Sequence, residues 1–542
     1  MVIDSVLSAL YTIFSVDHFS FLLIGLLVGL VSGLIPGLSG VTCILMLLPF
    51  LAYVEPSQAL ALIASSFAVT SISDSFSSIL LGVPGTASSQ ATIVDGHPLA
   101  KQGKPYEALG AAFTSSFVGG LIGAICLSIF IFHAKPIVLA FTVSELFMLC
   151  FLGVTFVGLL HRENSFKGIC AVFLGLVLGT IGSSVLTGEE RFTFGSWDLY
   201  EGINPISLAL GIFAIPEILS IFTTKNSPIN NSYSLVGVLD GIKETLKNKW
   251  IVLRCSLLGT FVGAIPGIGG SVIDWLAYGI TAATVKDNSN FGKGDIRGVI
   301  GPESANTAKE GGALIPTLLF GIPGSGTMVV FLFALDYIDM YPSLTFIHDH
   351  LDLVYTIVWS VVLAVLFGSI ICLLFSKLFM KFLAIKYYIL SPVLFVIVSL
   401  SVYFINESYF DLLCLYFFSV LGIFLKKEGW SRPALLLGFV LSNNIEKYFY
   451  QAVEIYGFEM FTRPMTLFII VFTIFCIYKM RHNKDTISDS SFLLFPMCFF
   501  LLSYVISIWN TDFLTKTFPI FIIVLFFIYL IFKKVYNART NT

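Results

Sequence analysis

Charged residues are scarce in this chain of 542 residues: they make up 12% of it, whereas hydrophobic residues make up 56%. Soluble globular proteins carry about 25% charged residues. No polar interval is long enough to build a separate soluble core, so soluble classes of protein are excluded. The net charge of −3, with no basic patch, also excludes nucleic-acid binding.

Metal-binding and nucleotide-binding motifs are absent as well. The nine cysteines lie singly in or beside apolar runs, without the close pairs or nearby histidines of a metal site. No P-loop or kinase motif occurs, which argues against an ATP-driven pump. We therefore expect no enzyme activity, no catalytic residue, no metal and no cofactor other than a possible coupling Na⁺ or H⁺.

Long apolar runs dominate what is present. Roughly 12 to 15 segments are apolar enough to lie in a hydrocarbon core about 30 Å thick. They are continuous and do not alternate with a period of two, which indicates helices and not a β-barrel. The sequence thus predicts an all-α polytopic membrane protein in the lipid bilayer.

Two short proline-glycine signatures each occur twice, in the same order. Residues 33–40 return as 263–270, and residues 82–86 return as 321–325. Single Pro-Gly pairs are ordinary kinks, since both residues are frequent in transmembrane helices. Four of them at matching places favour a duplicated protein with broken helices and re-entrant hairpins, an arrangement that points to a transport site at the bilayer midplane.

The charges that flank the duplicated signatures predict opposite topology for the two halves. The approach in the first half, residues 1–20, has no Lys or Arg, and its exit carries Lys101 and Lys104. In the second half the approach at 243–249 is basic and the exit at 336–352 has no Lys or Arg. We expect two inverted repeats, with these boundaries: 1–222 first repeat, 223–250 cytoplasmic linker, 251–484 second repeat and 485–542 an extra helical hairpin.

The helix breaks are the candidate site walls. Proline removes a backbone donor and glycine opens left-handed conformations, so N–H groups are freed at a helix start, where anions bind. A hydroxyl-rich run follows the second break of the first half, at 86–92. Small polar residues also serve helix packing in lipid, but as a set around the breaks they favour a site.

Ionisable residues in apolar segments are functional candidates because a charge at the bilayer centre is costly. For Glu145 and Glu217, pairing with a neighbouring residue is the favoured interpretation. Asp74, Asp274 and Glu303 are predicted to take part in ion coupling, the alternative again being a structural pair. The remaining candidates of this kind are Lys309 and Glu310.

The fragment from Gly292 to Asp295 has the G-x-G-D pattern of intramembrane aspartyl proteases. It lies next to a polar loop and lacks a convincing partner aspartate for a shared-proton dyad. Chance is the better explanation of this match.

At these motifs the chain resembles the large membrane subunit of the tripartite tricarboxylate transporter family. The segments that carry the resemblance in the first half are 33–40 and 79–103. In the second half they are 291–294, 301–306, 311–317, 321–324, 437–441 and 462–464.

The resemblance implies a secondary transporter in the bacterial inner membrane. Such a transporter receives a small organic carboxylate from a periplasmic solute-binding protein, works with a small membrane subunit and is driven by an ion gradient. The substrate-binding residues carried over onto this chain are Pro36, Gly37, Ser39, Gly40, Pro84, Gly85, Thr86, Ser88, Ser89, Pro266, Gly267, Gly269, Gly270, Ser304, Asn306, Pro323, Gly324, Ser325 and Thr327.

The chain departs from the expected family pattern at Ser73-Asp74 and at Gly82, where a Gly-Gly pair and an Asn are expected. The cavity lining is therefore altered, and the substrate need not be citrate. We predict import of a tricarboxylate or dicarboxylate by symport. The alternative is an organic-anion or ion channel, which needs a continuous polar pore.

Overall fold

The computed structural model describes residues 2–473 with short gaps. The gaps are residues 36–37, 52, 135–140, 160–164, 184–189, 194, 224–236, 267, 269, 384–390, 393–394, 397, 401, 404–406 and 472. The predicted hairpin at 485–542 and the end of the second repeat lie outside the described residues.

The first half is built of helices joined by short connections. They are α1 (Val2–Ile13), α2 (Val16–Leu34), α3 (Gly40–Leu51), α4 (Pro56–Phe76), α5 (Thr92–Lys101), α6 (Pro105–Phe132), α7 (Val143–Leu159), α8 (Ser165–Gly179), α9 (Pro205–Ala209) and α10 (Ile215–Thr223). π-helical turns continue α4 over Ser77–Leu81 and join α9 to α10 over Leu210–Ala214, and a two-stranded antiparallel ribbon pairs Gly182–Ser183 with Glu190–Arg191.

The second half repeats the order of a broken helix pair followed by a long helix. Its helices are α11 (Val238–Lys247), α12 (Lys249–Gly263), α13 (Gly270–Thr284), α14 (Arg297–Phe320), α15 (Gly326–Tyr337), α16 (Leu344–Asp349), α17 (Leu351–Leu374), α18 (Ser376–Leu383), α19 (Tyr409–Lys427) and α20 (Arg432–Tyr456).

Five of the described helices are long and apolar enough to cross a membrane: α2, α4 with its π turn, α6, α17 and α19. Shorter apolar helices of 10–17 residues, among them α3 and α15, accompany them. Together they make the chain an all-α multi-pass membrane protein. The α4 span is fully buried inside the protein, whereas a third to about a half of each of the other four is buried, so α4 forms a central element.

The same helix packing occurs in both halves, because glycines allow close backbone approach. α2 packs on α4 where a methyl group on Gly29 would overlap the carbonyl oxygen of Ser66; α12 packs on α14 where one on Gly259 would overlap that of Ala305. The matching contacts one turn later are Gly33 with the Thr70 carbonyl oxygen and Gly263 with the Lys309 carbonyl oxygen. Residues of α4 and α14 therefore correspond one to one.

The predicted linker at 223–250 contains a helix, α11, together with the start of α12. α11 packs on α6, where the Thr245 hydroxyl donates to the Ala111 carbonyl oxygen at 3.3 Å. This contact holds the entry to the second half against the first.

Candidate functional site

The first break of each half lies where sequence analysis expects it. α2 ends at Leu34 and α3 begins at Gly40, while α12 ends at Gly263 and α13 begins at Gly270. Pro266 is buried in its break. The other predicted residues of these breaks, Pro36, Gly37, Gly267 and Gly269, lie outside the described residues.

The second breaks share one backbone geometry. Gly82 ends the first with φ +67° and Gly321 ends the second with φ +64°, the left-handed conformation that glycine adopts without strain. In each turn, the backbone N–H of a glycine donates to the hydroxyl of the residue seven positions earlier. In the first half, the Gly85 N–H donates to the Ser78 hydroxyl at 3.4 Å. The equivalent bond in the second half joins Gly324 to Thr317 at 3.3 Å, and Pro84 and Pro323 occupy equivalent positions in the two turns.

Each second break restarts a helix under a hydroxyl cap. The Thr86 hydroxyl accepts from the Ser88 N–H at 3.2 Å, and the Ser325 hydroxyl accepts from the Met328 N–H at 3.3 Å. The Thr86 N–H donates to the Ser89 hydroxyl at 3.2 Å. Several of the backbone donors freed at the second breaks are thus satisfied by side chains of the protein itself.

The four breaks meet in two crossed pairs. A methyl group on Gly40 would lie 3.1 Å from Cγ2 of Thr327, so the first break of the first half touches the second break of the second half. A methyl group on Gly270 would overlap the hydroxyl of Ser88, so the first break of the second half touches the second break of the first half. Because Gly40 corresponds to Gly270 and Thr327 to Ser88, the two contacts are reciprocal between the halves.

Buried carboxylates surround the Gly270–Ser88 crossing. Asp74, fully buried on α4, accepts a hydrogen bond from the Thr86 hydroxyl at 2.5 Å and packs against Gly85. Its Oδ1 has no hydrogen-bond partner among the described residues. A buried carboxylate oxygen without a partner is costly. Protonation of the carboxyl group or binding of a cation removes this cost.

Glu303, fully buried on α14, is the most heavily bonded carboxylate of the site. It accepts hydrogen bonds from Ser75 at 2.8 Å, Thr92 at 2.7 Å and Ser116 at 3.2 Å. These hydroxyls come from α4, α5 and α6, so this one group joins the halves. Sequence analysis missed Ser75 and Ser116, because α4 and α6 contain several small polar residues that also serve helix packing.

Two further buried polar residues, Asp274 and Asn306, belong to the site. Asp274 accepts from the Ala91 N–H at 2.6 Å, and Asn306 donates to the Ser71 carbonyl oxygen at 3.2 Å. Both are fully buried, and the Oδ1 atom of each lacks a partner in the described part of the chain. Asp274 lies within electrostatic range of Asp74 and Glu303.

Lys309 and Glu310 form a buried ion pair on α14, each 6% exposed. The Lys309 stem reaches the crossing, since Cε would lie 2.6 Å from a methyl group on Gly270. We call Asp74, Asp274, Glu303, Lys309 and Glu310 the charged cluster.

The pseudo-equivalent positions carry no charge. In the same order, the counterparts of the charged cluster are Ala313, Ile44, Ala64, Thr70 and Ser71. Asn306 corresponds to Phe67, which packs edge-on against Phe331 with ring centroids 5.7 Å apart. We call Ala313, Ile44, Ala64, Thr70, Ser71 and Phe67 the uncharged counterpart. The duplicated backbone therefore frames two different surroundings.

Some predicted residues take positions apart from the charged cluster. The Ser304 hydroxyl bonds the Ile300 and Gly301 carbonyl oxygens of its own helix, at 2.6 and 3.0 Å. Ser39 is half-buried next to Gly40, on the side of the uncharged counterpart. Glu145 pairs with Arg463 and Glu217 with Arg432, which confirms the structural interpretation of both glutamates.

A second polar contact joins the halves at the G-x-G-D fragment. Asp95, fully buried, accepts from the N–H groups of Gly294 and Asp295 at 2.8 and 2.9 Å, and from the Tyr278 hydroxyl at 2.9 Å. The Asp295 carboxylate pairs with Arg297. The G-x-G-D fragment therefore connects the loop before α14 to Asp95 on α5. In the described ranges, no three His, Cys, Asp or Glu side chains are grouped so as to hold a metal ion.

The family model of the tripartite tricarboxylate transporter TctA family matches residues 19–437. The chain belongs to this family. TctA proteins are transporter components, and the match spans both sets of breaks and the whole charged cluster.

Two relatives come from Agrobacterium vitis. The chain is 31% identical over 423 residues to an uncharacterized 52.8 kDa protein in the TAR-I ttuC' 3' region, covering 76% of this chain and 82% of the relative. It is 32% identical over 197 residues to an uncharacterized protein in the TAR-II ttuC' 3' region, covering 36% of this chain and 81% of that relative. No solved structure matches this TctA chain.

Proposed function

We propose that this TctA chain is the membrane subunit of a secondary active transporter that imports a small tricarboxylate or dicarboxylate across the bacterial inner membrane. A periplasmic solute-binding protein delivers the substrate, a small membrane subunit completes the complex, and Na⁺ or H⁺ drives it. The observation that carries this proposal is the charged cluster, enclosed where two helix breaks cross.

The charge balance of the cluster supports coupling to a cation. Four of its members are carboxylates and one is an ammonium group, so an additional carboxylate from the substrate would enter against a negative excess. Like charges at short range in a buried site disfavour one another strongly. Protonation or Na⁺ binding at Asp74, Asp274 or Glu303 removes that repulsion, which makes anion entry depend on the cation.

The matched contacts support two repeats that alternate between open states. Corresponding glycines pack on corresponding carbonyl groups, and Gly40–Thr327 and Gly270–Ser88 exchange partners between the halves. With the opposite charge of the flanking segments, this favours inverted repeats around a pseudo-two-fold axis in the membrane plane. Movement of one part of each repeat against a scaffold then exposes the crossing to either side.

Uptake of radiolabelled citrate and succinate tests the function. The full chain is expressed together with the binding-protein and small-subunit genes of its own genome, and imposed Na⁺ and pH gradients are varied separately. We expect saturable accumulation that requires one gradient. Single-channel conductance in bilayers would instead support the channel, and uptake unaffected by replacing Pro36, Pro84, Pro266 and Pro323 would contradict a site at the breaks.

A further inference from the structure

We propose that Lys309 binds a carboxylate group of the substrate and that Glu310 occupies its ammonium group until the substrate arrives. This inference rests on the proposed transport function and names the residue that recognises the anion. In this proposal, the substrate carboxylate replaces Glu310 as the partner of Lys309 in the only buried ion pair of the charged cluster. We call this replacement the exchange.

The position of Lys309 places its ammonium group at the crossing of two breaks. Its Cε and the Ser88 hydroxyl both reach the point that a methyl group on Gly270 would occupy. Ser88 follows the second break of the first half and Gly270 begins α13. A carboxylate held there contacts both repeats, as alternating access requires of a substrate.

Four backbone donors on the first-half side of the crossing are already in use. The N–H groups of Gly85, Thr86, Ser88 and Ala91 donate to side chains of the protein. An ammonium group has three N–H donors, and in the described part of the chain that of Lys309 bonds only Glu310. Lys309 therefore has N–H groups available for a new anionic partner.

The ion pair with Glu310 is an incomplete match. Side chains of adjacent helical residues do not face each other, so the lysine must bend back to make the contact. Glu310 keeps a buried Oε2 without a partner among the described residues, and such an atom is costly. A substrate carboxylate can replace Glu310 at the ammonium group when Glu310 takes up a proton, because a buried carboxylate left without a partner is costly.

The surrounding carboxylates tie this exchange to the coupling cation. Lys309 lies within electrostatic range of Asp74 and Asp274. While both are ionised they compete for its charge; once a cation neutralises them, that charge is available to the substrate. The corresponding residues of the first half, Thr70 and Ser71, carry no charge, so carboxylate recognition is expected at one crossing of the two.

Direct binding to the purified full chain tests the exchange without the partner proteins. Radiolabelled citrate and succinate are the probes, measured by scintillation proximity in the presence of Na⁺ at low pH. Lys309→Met should weaken binding about 10- to 100-fold, the range of one hydrogen bond to a charged group. Glu310→Gln should strengthen it about threefold or more, because it removes the internal competitor.

Opposite signs separate recognition from a structural role. A purely structural pair predicts that both substitutions weaken binding, so weaker or unchanged binding by Glu310→Gln overturns the proposal. Replacing one ligand carboxylate by a carboxamide should weaken binding to the native chain but hardly to Lys309→Met. If Lys309→Met does not fold, Lys309→Arg takes its place and should retain part of the binding.

The matched control is Lys247→Met, which breaks an exposed ion pair with Glu244 on α11 and should leave binding unchanged. If the native chain binds the probes and Lys309→Met binds them equally well, this inference is overturned but the proposed function is not. A native chain that binds neither probe nor any other dicarboxylate or tricarboxylate overturns the proposed function as well.

Discussion

The charged cluster and the uncharged counterpart occupy equivalent places at the two crossings, yet they differ in every side chain. Glu303 receives three hydroxyl groups, whereas its equivalent Ala64 packs in the hydrophobic core. Backbone geometry is retained in both, down to φ +67° at Gly82 and +64° at Gly321. The comparison teaches that the two halves share one backbone frame, and that the buried charges are gathered at one of its two crossings.

The largest expected effect comes from removing charge from the cluster. Asp74→Asn should lower gradient-driven uptake about 10- to 100-fold, because the Thr86 hydroxyl loses its charged acceptor and the proposed coupling site loses a negative charge. Uptake of radiolabelled carboxylate under an imposed ion gradient measures this.

Two controls accompany this variant. In the uncharged counterpart, Ser71→Ala removes only a hydroxyl bonded to its own helix and should leave uptake near the native value. Asp240→Asn, on the exposed face of α11, should do the same. If all three variants transport alike, the contrast between the two places has no functional meaning.

The two crossings should differ in their tolerance of a methyl group. Gly270→Ala would overlap the Ser88 hydroxyl and approach Lys309 Cε at 2.6 Å, and we expect a loss of about 1–3 kcal/mol in stability. Gly40→Ala meets Thr327 at 3.1 Å and should cost less. Melting temperatures in detergent measure both.

A compensating variant sharpens this test. Gly270→Ala with Ser88→Gly should regain part of the melting temperature, since both overlapping Ser88 atoms are gone and only the flexible Lys309 stem must still shift. Equal destabilisation by Gly270→Ala and Gly40→Ala would contradict the packing described for the crossings.

The smallest effects are expected at the left-handed glycines. Gly82→Ala and Gly321→Ala should each cost about 1–2 kcal/mol, the penalty of this conformation for an L-residue. Gly82→Ala should cost more, because its methyl group would lie 2.8 Å from the His97 ring, whereas Gly321 has only the Pro342 carbonyl oxygen at 3.5 Å.

The melting temperature again provides the measurement. Gly326→Ala is the matched control, because its methyl group would contact only Val41 at 3.9 Å. If Gly321→Ala proved more destabilising than Gly82→Ala, the environments assigned to these turns would be wrong.

Much of the frame was predictable because Pro-Gly pairs act locally. The helical membrane class and the four break positions follow from the sequence, and the family is confirmed. The partners of Glu303 were not predictable, since Ser75 and Ser116 are distant in sequence and ordinary in composition. The Lys309–Glu310 pair was equally hidden, because adjacent helical residues do not normally pair. Inverted topology and substrate-binding roles stay predictions.

A cryo-electron microscopy map of the full chain in lipid nanodiscs with a bound carboxylate tests the central claim most directly. The account predicts ligand density at the Gly270–Ser88 crossing, touching Lys309, midway through the lipid. Density at a separate place, or breaks that face the acyl chains, would contradict it.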